Sequence, residues 1–124
     1  MRPLRLFALL AAAVTVLSAF APLRSYHAQL RKSSPAAHDT IASPSQLKFW
    51  FSERPVLSFT KVSLKNPVGV AQPLGPATFG DTSKTSPVVY AVTSPLPRGT
   101  YTVSWQTAAD DGHPSRGKFE FVVK

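Results

Sequence analysis

Thr100-Tyr-Thr-Val-Ser-Trp-Gln-Thr107 and Lys118-Phe-Glu-Phe-Val-Val123 are the two clearest strands in the chain. Tyr101, Val103 and Trp105 occupy alternate positions in the first, and Phe119, Phe121 and Val123 in the second. Alternation with period two puts these large side chains on one face of a sheet, where they close a core. The stretch between them, residues 108–117, is polar and turn-like and contains Asp111-Gly112-His113-Pro114. A carboxylate and an imidazole at i and i+2 fall on the same side of an extended segment. Gly112 between them lets the backbone bend without a Cβ clash. The pair offers one oxygen and one nitrogen, half of a metal site. Two ligands hold a metal poorly, and on spacing alone Asp-x-His describes two solvent-facing turn residues equally well. Further donors must come from His27, His38 or the few other carboxylates.

The same alternation recurs upstream. In Gln46-Leu-Lys-Phe-Trp-Phe-Ser52, Leu47, Phe49 and Phe51 share a face, with Trp50 opposite. One further step on the apolar face reaches Glu53, a carboxylate that needs a compensating charge from Arg54, a metal or an amine. Residues 27–33 predict a first strand with Leu30 as its core residue, and residues 34–39 a turn that leaves His38 on the surface. Residues 59–65 predict a strand of ambiguous burial, residues 66–69 a turn, and the Pro- and Gly-rich residues 70–80 a loop with one edge strand. A strand follows over 86–93, then a tight connection that turns at Gly99. About seven short strands, frequent turns and no helix predict an all-β domain, an Ig-like antiparallel β-sandwich or small Greek-key barrel.

Residues 1–26 read as a secretory signal peptide. Arg2 and Arg5 form a basic start, and the largely apolar 16-residue stretch 6–21 that follows is short for a membrane span. The junction is its weak feature. Ala19 and Ala21, or Leu23 and Ser25, fit a peptidase better than Arg24 and Tyr26, the pair that cleavage before His27 requires. An uncleaved leader would instead tether the domain to a membrane. The remaining residues, 27–124, make one small domain. The whole chain has 14 basic and 6 acidic residues, for a net charge of +8. Arg2, Arg5 and Arg24 fall before residue 27, so eleven basic residues face six acidic ones in the domain, a net charge of +5. These charges are scattered, whereas a nucleic-acid face clusters them among aromatics. The absence of cysteine excludes disulfides, thiolate metal sites and cysteine nucleophiles. No Gly-x-Ser-x-Gly elbow and no phosphate-cradling glycine loop is present. Adjacent Asp110 and Asp111 point apart and do not make a hydrolytic carboxylate pair. The residues give no indication of an enzyme.

Taken together, four stretches resemble the CopC family of periplasmic copper-binding, copper-resistance proteins. They are His27-Ala-Gln-Leu with Ser33-Ser34-Pro35-Ala36; Leu47-Lys-Phe-Trp-Phe-Ser52-Glu53; Pro97-Arg-Gly99-Thr-Tyr101-Thr-Val103-Ser-Trp105; and Asp111-Gly-His113-Pro114 with Gly117-Lys-Phe119. The resemblance spans nearly all of 27–124. It implies a cupredoxin-like β-sandwich that binds Cu(II) through His27, by its α-amine and its ring, together with Asp111 and His113. It also implies that Glu53 lies nearby, as an outer partner of the metal or a weak ligand. Cu(II) favours tetragonal nitrogen and oxygen sites, which this donor set suits. Some family members hold Cu(I) on methionines, but the single methionine here is Met1, which leaves none in 27–124. The expected role is a periplasmic monomer that sequesters Cu(II) or delivers it to a CopD-type inner-membrane transporter. The alternative is a metal-free Ig-like interaction or structural module.

Overall fold

The computed structural model describes residues 27–124. The signal peptide expected over 1–26 lies outside the described residues. Nine strands follow in order: β1 Leu30–Ser34, β2 Thr40–Ile41, β3 Gln46–Phe51, β4 Lys61–Lys65, β5 Ala71–Gln72, β6 Thr78–Phe79, β7 Val88–Ala91, β8 Gly99–Ala108 and β9 Pro114–Val123. They form a four-stranded sheet in the order β1-β3-β7-β6 and a five-stranded sheet in the order β2-β9-β8-β4-β5. The expected all-β sandwich is thus present. It exceeds about seven strands because β2 is added and the one edge strand expected within 70–80 is two short pieces, β5 and β6, all three at sheet edges. All pairings are antiparallel except that of β2 with β9, where Thr40 and Ile41 run parallel beside Val122 and Val123.

The alternation read from the sequence becomes the core between the sheets. Leu47 and Phe49 from β3, Leu64 from β4, Val88 and Tyr90 from β7, Tyr101 and Val103 from β8, and Phe121 and Val123 from β9 are buried together. This settles the 59–65 segment. Leu64 is fully buried, while Phe59 sits in a 3-10 turn, Leu57–Phe59, ahead of the strand and is half exposed. Buried polar atoms inside the sandwich are paired, as a low-dielectric interior demands. Tyr90 donates to the Thr60 carbonyl at 3.1 Å, and the Thr60 and Thr107 hydroxyls meet at 2.8 Å. Gly99 has φ +147, and a Cβ there would lie 2.5 Å from Pro67 Cγ. Glycine is therefore required on two counts where β8 starts against the Asn66–Gly69 turn.

The β8–β9 hairpin runs further than its sequence suggests. Pairing extends from Gly99↔Val123 to Ala108↔Pro114, so the second strand begins at Pro114 rather than Lys118, and only residues 109–113 remain as the loop. Pro114 is tolerated because it is the first residue of its strand. Gly117, which looks like a turn residue, pairs opposite Trp105. A Cβ on it would come within 2.8–2.9 Å of the indole ring, so this glycine makes room for a tryptophan. Trp105 is only half-buried and packs edge-on against Phe51 at 5.6 Å, so it closes the end of the core rather than its centre. Trp50 faces outward under the Lys32 ammonium, 4.8 Å from the ring.

Candidate metal centre

The five-residue hairpin loop is shaped by its own backbone. Gly112 takes φ +75 with open space around its Cβ position, and its N–H donates to the Ala109 carbonyl at 3.0 Å. The Asp111 Oδ1 accepts the His113 backbone N–H at 3.1 Å, closing an Asx turn. That turn folds the two side chains back on each other, and Asp111 Oδ2 lies 3.4 Å from His113 Nδ1.

His27 arrives from the other end of the domain. It precedes β1, which pairs antiparallel with β3 in the register Leu30↔Phe51. The alignment continues past the named strands, where the Ser52 N–H donates to the Gln29 carbonyl at 2.8 Å. The Ser52 hydroxyl oxygen accepts the Gln29 N–H at 2.9 Å, and its proton is donated to the His27 carbonyl at 3.3 Å. Ala28 is fully buried and pins the segment from within. So held, His27 places Nδ1 at 3.5 Å from Asp111 Oδ2, with its ring perpendicular to that of His113 at 5.1 Å.

One donor atom from each of His27, Asp111 and His113 lies within 4.8 Å of the others. Donors about 2.0–2.2 Å from one first-row ion sit up to about 4 Å apart, so small side-chain rotations bring all three onto a single cation. The His27 Nδ1 is the most telling atom. It is buried, has no hydrogen-bond partner among the described residues, and faces a carboxylate at a distance too long for a good hydrogen bond. A buried polar atom without a partner is costly, and a metal ion beside Asp111 would satisfy it. The Asp111 carboxyl is held below the ordinary carboxylate value, first by the His113 N–H, then by the His113 side chain and the charges of His113 and His27, with partial burial opposing. The ligand set therefore keeps its one negative charge in acid better than a free aspartate would.

The other candidates lie elsewhere. Glu53 is exposed and is not among the three converging residues. Arg54 does not compensate it: its guanidinium donates to the Ser83 carbonyl and lies 3.7 Å over the Phe79 ring. His38 is exposed in the turn before β2, with φ 67, where its N–H is held by the Glu120 carbonyl. Ser52 and Ala28, which fix the backbone of His27 and its neighbour, gave no signal of that role in the sequence.

Comparison with known proteins places this geometry in context. The model of the CopC domain matches residues 30–124. "Copper resistance protein C" of Escherichia coli is 30% identical over 108 residues, covering 79% of this chain and 82% of that protein. The protein of the same name from Xanthomonas campestris pv. juglandis is 30% identical over 125 residues, covering 94% and 91%. The crystal structure of CopC from Methylosinus trichosporium OB3b superposes with a TM-score of 0.71 at 28% identity, covering 79% of this chain and 94% of that one. That of PcoC, described as a methionine-rich copper resistance protein from Escherichia coli, gives 0.66 at 30% identity, covering 79% and 99%.

Proposed function

Because the chain belongs to the CopC family, we propose that it binds one Cu(II) ion at His27, Asp111 and His113. Its role is copper resistance or supply in the periplasm, either by sequestering the ion or by passing it to a CopD-type membrane transporter. The observation that carries this reading is the convergence of two imidazoles and one carboxylate from two segments far apart in the chain, with the His27 Nδ1 buried and unpartnered among the described residues. With processing before His27, the α-amine adds a fourth donor. Three nitrogens and one oxygen then make the tetragonal set that Cu(II) prefers. A longer N-terminus removes the amine and leaves two imidazoles and a carboxylate, a set closer to zinc's. Residues 27–124 contain no methionine or cysteine. In this they differ from the methionine-rich PcoC, and the proposed chemistry is confined to Cu(II).

The test is competitive Cu(II) titration of the wild type and of His113→Ala. The His113 side chain is 69% exposed and outside the core. Its loss should weaken binding at least about a hundredfold while thermal unfolding stays within a few degrees. An unchanged affinity refutes the assignment.

A further inference from the structure

We infer that Ser52 is a positioning residue for the metal centre, fixing where His27 presents its donors. The inference rests on the Cu(II) reading above. His27 lies three residues before β1 begins, outside the regular β1–β3 ladder. A chain end in that position ordinarily frays. Here it is held at three points by one residue. The Ser52 N–H donates to the Gln29 carbonyl at 2.8 Å, its Oγ accepts the Gln29 N–H at 2.9 Å, and its hydroxyl proton goes to the His27 carbonyl at 3.3 Å. A single hydroxyl is thus donor and acceptor at once, and both partners are backbone groups of the segment that carries the ligand.

The geometry gives this arrangement a purpose beyond stability. Ser52 is exposed and the hydrogen bonds lie outside the core, so their worth to global folding is small. Their local worth is large. Asp111 and His113 are preset by the hairpin loop itself, through the Asx turn and Gly112, whereas His27 has no such local constraint. Donors held in place before the ion arrives bind it more tightly, because the ordering cost does not fall on the binding step. The Ser52 hydroxyl bonds to the carbonyl of His27 itself, so it sets the rotation of the residue whose imidazole and α-amine both approach the ion. Within Phe51-Ser52-Glu53 it is then the serine that holds the backbone of His27.

The test compares wild type, Ser52→Ala, Ser52→Thr and, as a control on the outer face of β4, Ser63→Ala. Each is read by Cu(II) affinity, by Cu(II) EPR, and by amide hydrogen exchange of the metal-free protein. Ser52→Ala should weaken Cu(II) about five- to fiftyfold, broaden or shift the copper hyperfine pattern, and speed exchange at the Gln29 amide. Ser52→Thr, which keeps the hydroxyl, should restore most of all three, and Ser63→Ala should match wild type. The melting temperature of Ser52→Ala should move by only a few degrees. If wild type gives a nitrogen-rich copper signal and Ser52→Ala retains its affinity within twofold and its spectrum, Ser52 has no positioning role. A wild type that takes up no Cu(II) overturns the copper reading and this role with it.

Discussion

Asp111 concentrates the chemistry of the site in one side chain. Its Oδ1 organises the loop through the His113 N–H, and its Oδ2 faces both imidazoles. Asp111→Asn separates the two roles, since an amide oxygen can still accept the backbone bond but brings no charge to the ion. Cu(II) affinity at neutral pH should fall by at least about tenfold with the loop unchanged by NMR; equal affinity would show that the carboxylate is not a ligand. The lowered proton affinity of Asp111 also fixes the pattern of acid release. Ligands must be deprotonated to bind, so copper should be lost on acidification, and Asp111 keeps its charge further into acid than an ordinary aspartate. Any stability Asp111 adds to the metal-free fold is complete above the ordinary carboxylate value and is lost only as pH falls through its lowered one. Copper that is fully retained down through the carboxylate range would contradict this dependence. Spacing and the intervening glycine only suggested pairing Asp111 with His113, and the resemblance to the CopC family was what joined them to His27 in the sequence. Ser52 was not legible there, because its hydroxyl's partners lie 23 and 25 residues upstream, and no local pattern records a contact across a sheet edge.

The element that matters most is the β8–β9 hairpin. Its alternation gave both strands and their buried faces from the sequence, but its length was underestimated. The Pro114-Ser-Arg-Gly117 run has the composition of a turn, yet it pairs opposite residues 105–108. Local composition could not reveal that Gly117 is selected by the indole on the neighbouring strand. Gly117→Ala tests this directly. With the new methyl 2.8–2.9 Å from the Trp105 ring, the ring must leave its place on Phe51. The expected cost is about 1–3 kcal/mol, read as a drop in melting temperature of about 4–8 °C per kcal/mol for a domain of this size, with altered tryptophan fluorescence. An unperturbed melt would mean that the indole does not rest over this glycine. The short edge strands are read incompletely for a simpler reason: β2 is missed and β5 and β6 are read as one edge strand within 70–80, since two residues are too few to show a period.

At the scale of the whole molecule, the sandwich brings the segment before β1 and the β8–β9 loop, far apart in the chain, to one rim. β1 enters at the edge of one sheet, and the β8–β9 loop closes the end of the other. A ligand shared between them joins the sheets as well as binding at the site. Saturating Cu(II) should therefore raise the melting temperature, by the equivalent of about 2.7 kcal/mol at a hundredfold excess over Kd. His113→Ala should lose most of that gain while keeping the metal-free value. The core closes on apolar side chains, among them Leu47, Phe49, Leu64, Val103 and Phe121, and none of the three proposed ligands belongs to it. The central claim remains that His27 and the hairpin loop hold one Cu(II) together. Its most direct test is the EPR spectrum, at one equivalent of Cu(II), of protein that begins at His27 and of the same protein with one residue added before it. The account predicts an axial, nitrogen-rich type-2 spectrum for the first, and a changed, weaker-binding one for the second as the α-amine is lost. A spectrum of free or oxygen-only copper from the protein that begins at His27 would contradict it.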